Sequence, residues 1–177
     1  MGENTKAPFW KPALFYGLIV GFAGIILTLV FYFVGVSTST WVGWVSMVVS
    51  IALLAYCLIA YRNEHLGGYA RFGQLFLMAL AIGIVSSILG AVFTYILHTV
   101  IDPGLIDQIR IAAEEKIMSN SRIPESMYDD IFSRMEKRLT VNRMVVMALV
   151  WGPVLNAIVG LIVAAIVKKE EHPPVNA

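Results

Sequence analysis

Tyr61-Arg62-Asn63-Glu64-His65-Leu66-Gly67-Gly68-Tyr69-Ala70-Arg71-Phe72 is a short polar stretch, basic at both ends, set between two long apolar runs. So brief a polar link forces the flanking runs back on each other, and the stretch reads as the turn of a tight helical hairpin at one membrane face. The rest of the chain is oriented from it. With 58% hydrophobic and 14% charged residues and a mean hydropathy of +0.76, the 177-residue chain is too apolar for a soluble domain of its size. It reads as one membrane domain over residues 1–177. The formal net charge of +1 says less than where the charges sit, and no nucleic-acid partner is expected. A single cysteine, Cys57, leaves no intrachain disulfide or multi-thiolate metal site.

Working outward, four spans are expected at about residues 12–34, 41–60, 73–97 and 144–167. The first exceeds the apolar region of a secretory signal, roughly 7 to 15 residues, and reads as a retained span. Phe9-Trp10-Lys11, between Pro8 and Pro12, suits a helix entering the headgroup layer, as Trp41 and Trp44 do at the start of the second span. Gly17, Gly21 and Gly24 form a small-residue surface for packing within the chain or for a dimer. Ala79, Gly83, Ser87 and Ala91 on the third span repeat every four residues, as do Ala148, Gly152, Asn156, Gly160 and Ala164 on the fourth. Two small-residue ridges of equal pitch read as packing partners. Pro153 should free the carbonyl of Leu149, and Asn156 is expected to bond Ser86 or Ser87 across the interface, or else to line a substrate path.

Between the third and fourth spans lies a charged segment, about residues 102–140, that reads as an amphipathic helical hairpin. Asp102-Pro103 is expected to cap its first helix, with Leu105, Ile106, Ile109, Ala113 and Ile117 on one face. Pro124 restarts a second helix, with Met127, Tyr128, Ile131, Phe132, Met135 and Leu139 on one side. Packing on itself, lying on the membrane and binding a partner all fit this periodicity. Lys6, Lys11, Arg62, Arg71, Lys168 and Lys169 share one face with both termini, against seven basic residues in the long loop. The first helix usually dominates, and no basic residue follows the third span before Arg110, so both termini are expected in the cytoplasm. The tail beyond Lys169 reads as a polar end without fixed structure.

Gly67-Gly68-Tyr69-Ala70-Arg71-Phe72-Gly73-Gln74-Leu75-Phe76, then Tyr95-Ile96-Leu97-His98 and Ile101-Asp102-Pro103, resemble the bacterial membrane family catalogued as domain of unknown function 4199. The resemblance covers nearly the whole chain. It implies four spans and a Bacteroidota-type inner-membrane location, and it transfers no activity or catalytic residue.

The chemistry legible in the sequence is sparse. His65, His98 and His172 lie in separate segments without a metal-ligand spacing, Glu64-His65 reads as a solvated or locally paired turn, and Tyr95 and His98 read as an interfacial girdle. No charged residue stands inside a span to drive ion coupling, and no deep base is available to activate Ser46, Ser50, Ser86 or Ser87. No catalytic, metal or cofactor site is therefore expected. The reading is an all-α membrane protein with four transmembrane helices, a non-enzymatic accessory or scaffold acting through the hairpin. Ile109, Ala113, Ile117, Tyr128, Ile131, Phe132 and Met135 are its candidate surface toward lipid, a membrane protein partner or a second copy. The alternative is a small oligomeric transporter or channel with a path near Asn156 and Pro153.

Overall fold

A computed structural model describes residues 9–169. The readings on Lys6, Pro8, His172 and the tail after Lys169 lie outside that range. The helices are α1 (Trp10–Phe33), α2 (Thr40–His65), α3 (Phe72–Ile96), α4 (Leu105–Met118), α5 (Tyr128–Arg138) and α6 (Val141–Val167). A wide i→i+5 turn, Leu97–Ile101, prolongs α3, and a 3-10 turn, Glu125–Met127, leads into α5. Four of these helices, α1, α2, α3 with its extension and α6, are long and apolar enough to cross a membrane. Helical backbone satisfies its own hydrogen bonds, the condition for standing in hydrocarbon. Even α1, with 24 residues, reaches about 36 Å at 1.5 Å per residue, beyond the roughly 30 Å of a bilayer core.

Around the bundle the order is α1, α3, α6, α2, with α3 the most buried span. Its neighbours approach closely because one side of each contact lacks a bulky side chain. A Cβ placed on Gly83 would lie 2.5 Å from the Asn156 Cβ, one on Gly152 2.6 Å from the Ser87 Cβ, and one on Gly160 2.7 Å from the Ala79 Cβ. Each step of four residues along α3 is thus matched by four in the opposite direction along α6. On the other side of α3, Gly17 meets Val85 at 2.5 Å and Gly21 meets Leu89 at 2.7 Å by the same construction. Gly24, grouped with them by spacing, faces open space and takes no part. Ala91 and Ala164 are buried and Ala148 is half-buried.

The core is unevenly distributed along the bundle. Ala13 and Tyr16 of α1, Leu54, Cys57 and Leu58 of α2, Leu75, Met78 and Ile82 of α3, and Val163 and Ala164 of α6 form one buried cluster. All sit toward the end that carries the 61–72 turn. At the opposite end, the second half of α1 and the first halves of α2 and α6 bury no residue fully.

The turn itself is shorter than its polar composition suggests: α2 stays helical through His65, and Leu66–Arg71 makes the reversal. Gly67 (φ 65°) and Gly68 (φ 89°) occupy the left-handed region that side chains disfavour. The link then clasps the end of α6. Ala70 and Lys169 exchange two backbone hydrogen bonds of 2.8 and 3.1 Å, and the Lys169 ammonium stands 5.1 Å from the Tyr69 ring centre. Arg62 donates to the Val167 carbonyl at 2.8 Å, placing a cation on an otherwise unpaired helix C-terminal acceptor. Tyr16 of α1 donates to the Glu64 carboxylate at 2.9 Å, and the Gln74 side chain accepts from the Arg71 backbone N–H at 2.9 Å to start α3.

The close approaches set a testable contrast. Gly83→Ala or Gly17→Ala forces a Cβ against a neighbouring Cβ and should destabilise the protein by roughly 1–3 kcal/mol. Gly24→Ala and Gly90→Ala meet open space and should be neutral or stabilising by up to about 1 kcal/mol through helix propensity. Unfolding titrations of the four variants in mixed micelles measure this; equal effects at all four sites would contradict the packing.

Candidate functional site

At the end of the bundle opposite the clasp, α1 closes with Gly35 (φ 76°) in a Schellman arrangement, Gly35 N–H to Tyr32 O and Val36 N–H to Phe31 O, both 3.0 Å. The chain then turns into α2 through Ser37, Thr38 and Ser39. Facing that link is the end of α3, where the Leu97–Ile101 turn closes with Asp102 N–H donating to Leu97 O at 2.8 Å. Asp102 is therefore not the cap of α4. The α4 N-cap is Gly104, because Pro103-Gly104 makes a separate turn in which Asp102 Oδ1 accepts the Gly104 N–H at 3.0 Å. Asp102 Oδ2 accepts a hydrogen bond from the Tyr32 hydroxyl at 3.1 Å, joining α1 to the root of α4.

Beside this bond lies an open cavity of about 390 Å³, with Tyr32, Ser37, Thr38, Asp102 and Gln108 as its polar lining and Leu105 among its apolar walls. Asp102 is the one carboxylate of its lining, and no basic side chain lines it. The sequence singled out Asp102 and Leu105 as parts of the α4 helix start but did not mark the cavity they line. Tyr32 and Asp102 are 70 residues apart, and an uncharged 35–40 link offers no chemical signal of its own.

Further along, Lys116 donates to the Thr40 hydroxyl at 2.9 Å, so α4 is tied to the beginning of α2 as well as to α1. Helices α4 and α5 contact each other, and Arg110 reaches Glu136 at 3.7 Å across them while also meeting Asp107 at 3.1 Å and Glu114 at 4.0 Å. Ile109, Ala113, Ile117, Tyr128, Ile131, Phe132 and Met135 are all half-buried. Outside them, Ile111, Met118 and Met127 are at least half exposed, at 59%, 52% and 50%.

Asn156 makes no hydrogen bond to Ser86 or Ser87. Its amide donates to Gly152 O at 3.0 Å on its own helix, while Ser86 and Ser87 donate to Gly83 O and Ile84 O on theirs. The residue facing Asn156 at this contact is Gly83, which offers no side-chain partner. His98 departs from the interfacial reading too: it is 93% buried, where Tyr95 is exposed. Its Nδ1 lies 2.9 Å from Thr94 O and so carries the proton in the neutral ring, leaving Nε2 as the buried side-chain polar atom without a partner among the described residues. No group of three metal-ligating residues occurs among the described residues.

The fold defines a multi-pass integral membrane protein of four long apolar helices, with the shorter pair α4 and α5 inserted before the last. Within that class the chain belongs to the family described as protein of unknown function DUF4199, whose sequence profile matches residues 15–169. No curated protein and no solved structure matches the chain.

The bond between Tyr32 and Asp102 should be measurable as a coupling. In a double-mutant cycle of Tyr32→Phe and Asp102→Ala, followed by mixed-micelle unfolding, an interaction energy of about 0.5–1.5 kcal/mol is expected. Simple additivity would show that the contact does not hold α1 to the root of α4.

Proposed function

We propose that this protein is a non-enzymatic accessory or scaffold protein of the bacterial inner membrane, with both termini in the cytoplasm and the α4–α5 hairpin presented on the other side. One observation carries the reading. The hairpin is mounted on the bundle at two separated points, Tyr32 to Asp102 at its root and Lys116 to Thr40 near the end of α4. A charged helix pair held in a set orientation is pre-organised for a protein partner, because less ordering entropy is lost on docking. Ile109, Ala113, Ile117, Tyr128, Ile131, Phe132 and Met135 then serve mainly to keep α4 and α5 together. The contact surface passes to exposed Ile111 and Met118, flanked by the exposed charges of Asp129, Asp130, Lys137 and Arg138.

The transporter alternative finds less support. A path past Asn156 and Pro153 has to run where the backbones of Gly83 and Gly152 are closed against the Asn156 and Ser87 side chains of the facing helix. The orientation rests on the basic residues around the clasp and on the lead usually taken by the first helix.

In-membrane photocrosslinking tests the reading. A photoreactive residue at Met118 should capture a distinct protein that is not captured from Gly24, a position facing open space. Ile111→Glu should reduce that adduct about tenfold, and Asn156→Leu should leave it unchanged. Capture of lipid alone from Met118, or flux in proteoliposomes abolished by Asn156→Leu, would remove the scaffold reading.

A further inference from the structure

The cavity beside Asp102 has an unbalanced charge, and this goes beyond the role given to the hairpin. Four helix termini meet there: the C-terminal ends of α1 and of the α3 extension, and the N-terminal ends of α2 and α4. Their partial charges are of opposite sign and offset one another, so the sign of the site is set by side chains. Asp102 is the charged residue of the lining, and no lysine or arginine lines the cavity to balance it. The nearby basic groups of α4 are directed elsewhere, Arg110 to three carboxylates and Lys116 to Thr40.

The carboxylate also has acceptor capacity to spare. Oδ2 takes the Tyr32 hydroxyl and Oδ1 the Gly104 N–H, which leaves each oxygen a second lone pair. Around it, the side chains of Ser37, Thr38 and Gln108 make no hydrogen bond to any described residue, so their oxygens are open to a donor. The two bonds to Asp102 hold it in place, which fixes the direction of the spare lone pairs. A volume of about 390 Å³ fits a small polar group rather than a bare ion.

From this arrangement we infer that the cavity binds a primary ammonium group, with Asp102 as the counter-charge and Gln108, Ser37 and Thr38 as further acceptors. A primary ammonium carries three N–H donors for such a set, whereas a trimethylammonium carries none. The ligand is the ammonium of an ethanolamine phospholipid headgroup or a free alkylamine. At the end of a membrane bundle either source can reach the site.

Native mass spectrometry of the detergent-solubilised full chain distinguishes them. Dioleoyl phosphatidylethanolamine is compared with dioleoyl phosphatidylcholine, and ethanolamine with choline. In at least one pair the primary ammonium should be retained about tenfold better, and Asp102→Asn should abolish the preference. A preference in the lipid pair assigns a headgroup site; one confined to the soluble pair assigns a free-amine site. Tyr32→Phe is the control, since it removes the interhelical hydrogen bond while keeping the charge, and it should preserve the preference. If neither pair discriminates in the wild-type protein, or if discrimination survives in Asp102→Asn, the assignment is overturned. Loss in both variants would trace the effect to the fold and overturn it equally.

Discussion

Everything in the bundle depends on how closely two helices can approach α3. Gly83, Gly152 and Gly160 on one side, and Gly17 and Gly21 on the other, let backbone meet side chain at distances no Cβ would permit. In lipid there is no hydrophobic drive to bring apolar helices together, since lipid tails are as apolar as leucine. Close packing and dispersion have to supply it. That makes α3 the centre. The large apolar side chains of the other spans, such as Phe22, Ile26, Trp151 and Ile166, are left pointing outward, where hydrocarbon solvates them.

Polar groups within the spans contribute little to association across helices. Thr28, Ser86, Ser87, Thr99 and Asn156 each donate to a carbonyl three or four residues earlier on their own helix. The hydrogen bonds that do join elements lie near the ends of the bundle, where Tyr16 meets Glu64, Arg62 meets Val167, Tyr32 meets Asp102 and Lys116 meets Thr40. Packing holds the middle of the bundle, and polar contacts hold its two ends.

Those ends are built differently. The clasp end combines a glycine turn, a two-bond backbone bridge to Lys169 and the buried core. At the opposite end, α3 alone among the spans buries residues fully, and an open polar cavity lies under the hairpin. The buried core lies toward one end and the open polar cavity toward the other. Both the proposed docking element and the proposed ammonium site fall there.

The number of spans and the presence of two extra helices before the last were legible in the sequence. Apolar run length and helical periodicity are local properties that lipid does not override. The four-residue repeats on α3 and α6 were legible for the same reason. What spacing could not decide was which glycines take part: Gly24 continues the α1 pattern yet faces open space, because α3 lies against only part of that surface. The cap at Asp102 failed as a local rule because its carboxylate is claimed both by the next turn and by Tyr32, 70 residues away. Asn156 kept its amide on its own helix because the neighbour across the interface is Gly83, which offers no side-chain partner. The burial of His98 and the cavity beside Asp102 come from the meeting of segments distant in the chain, so only the tertiary structure could decide them.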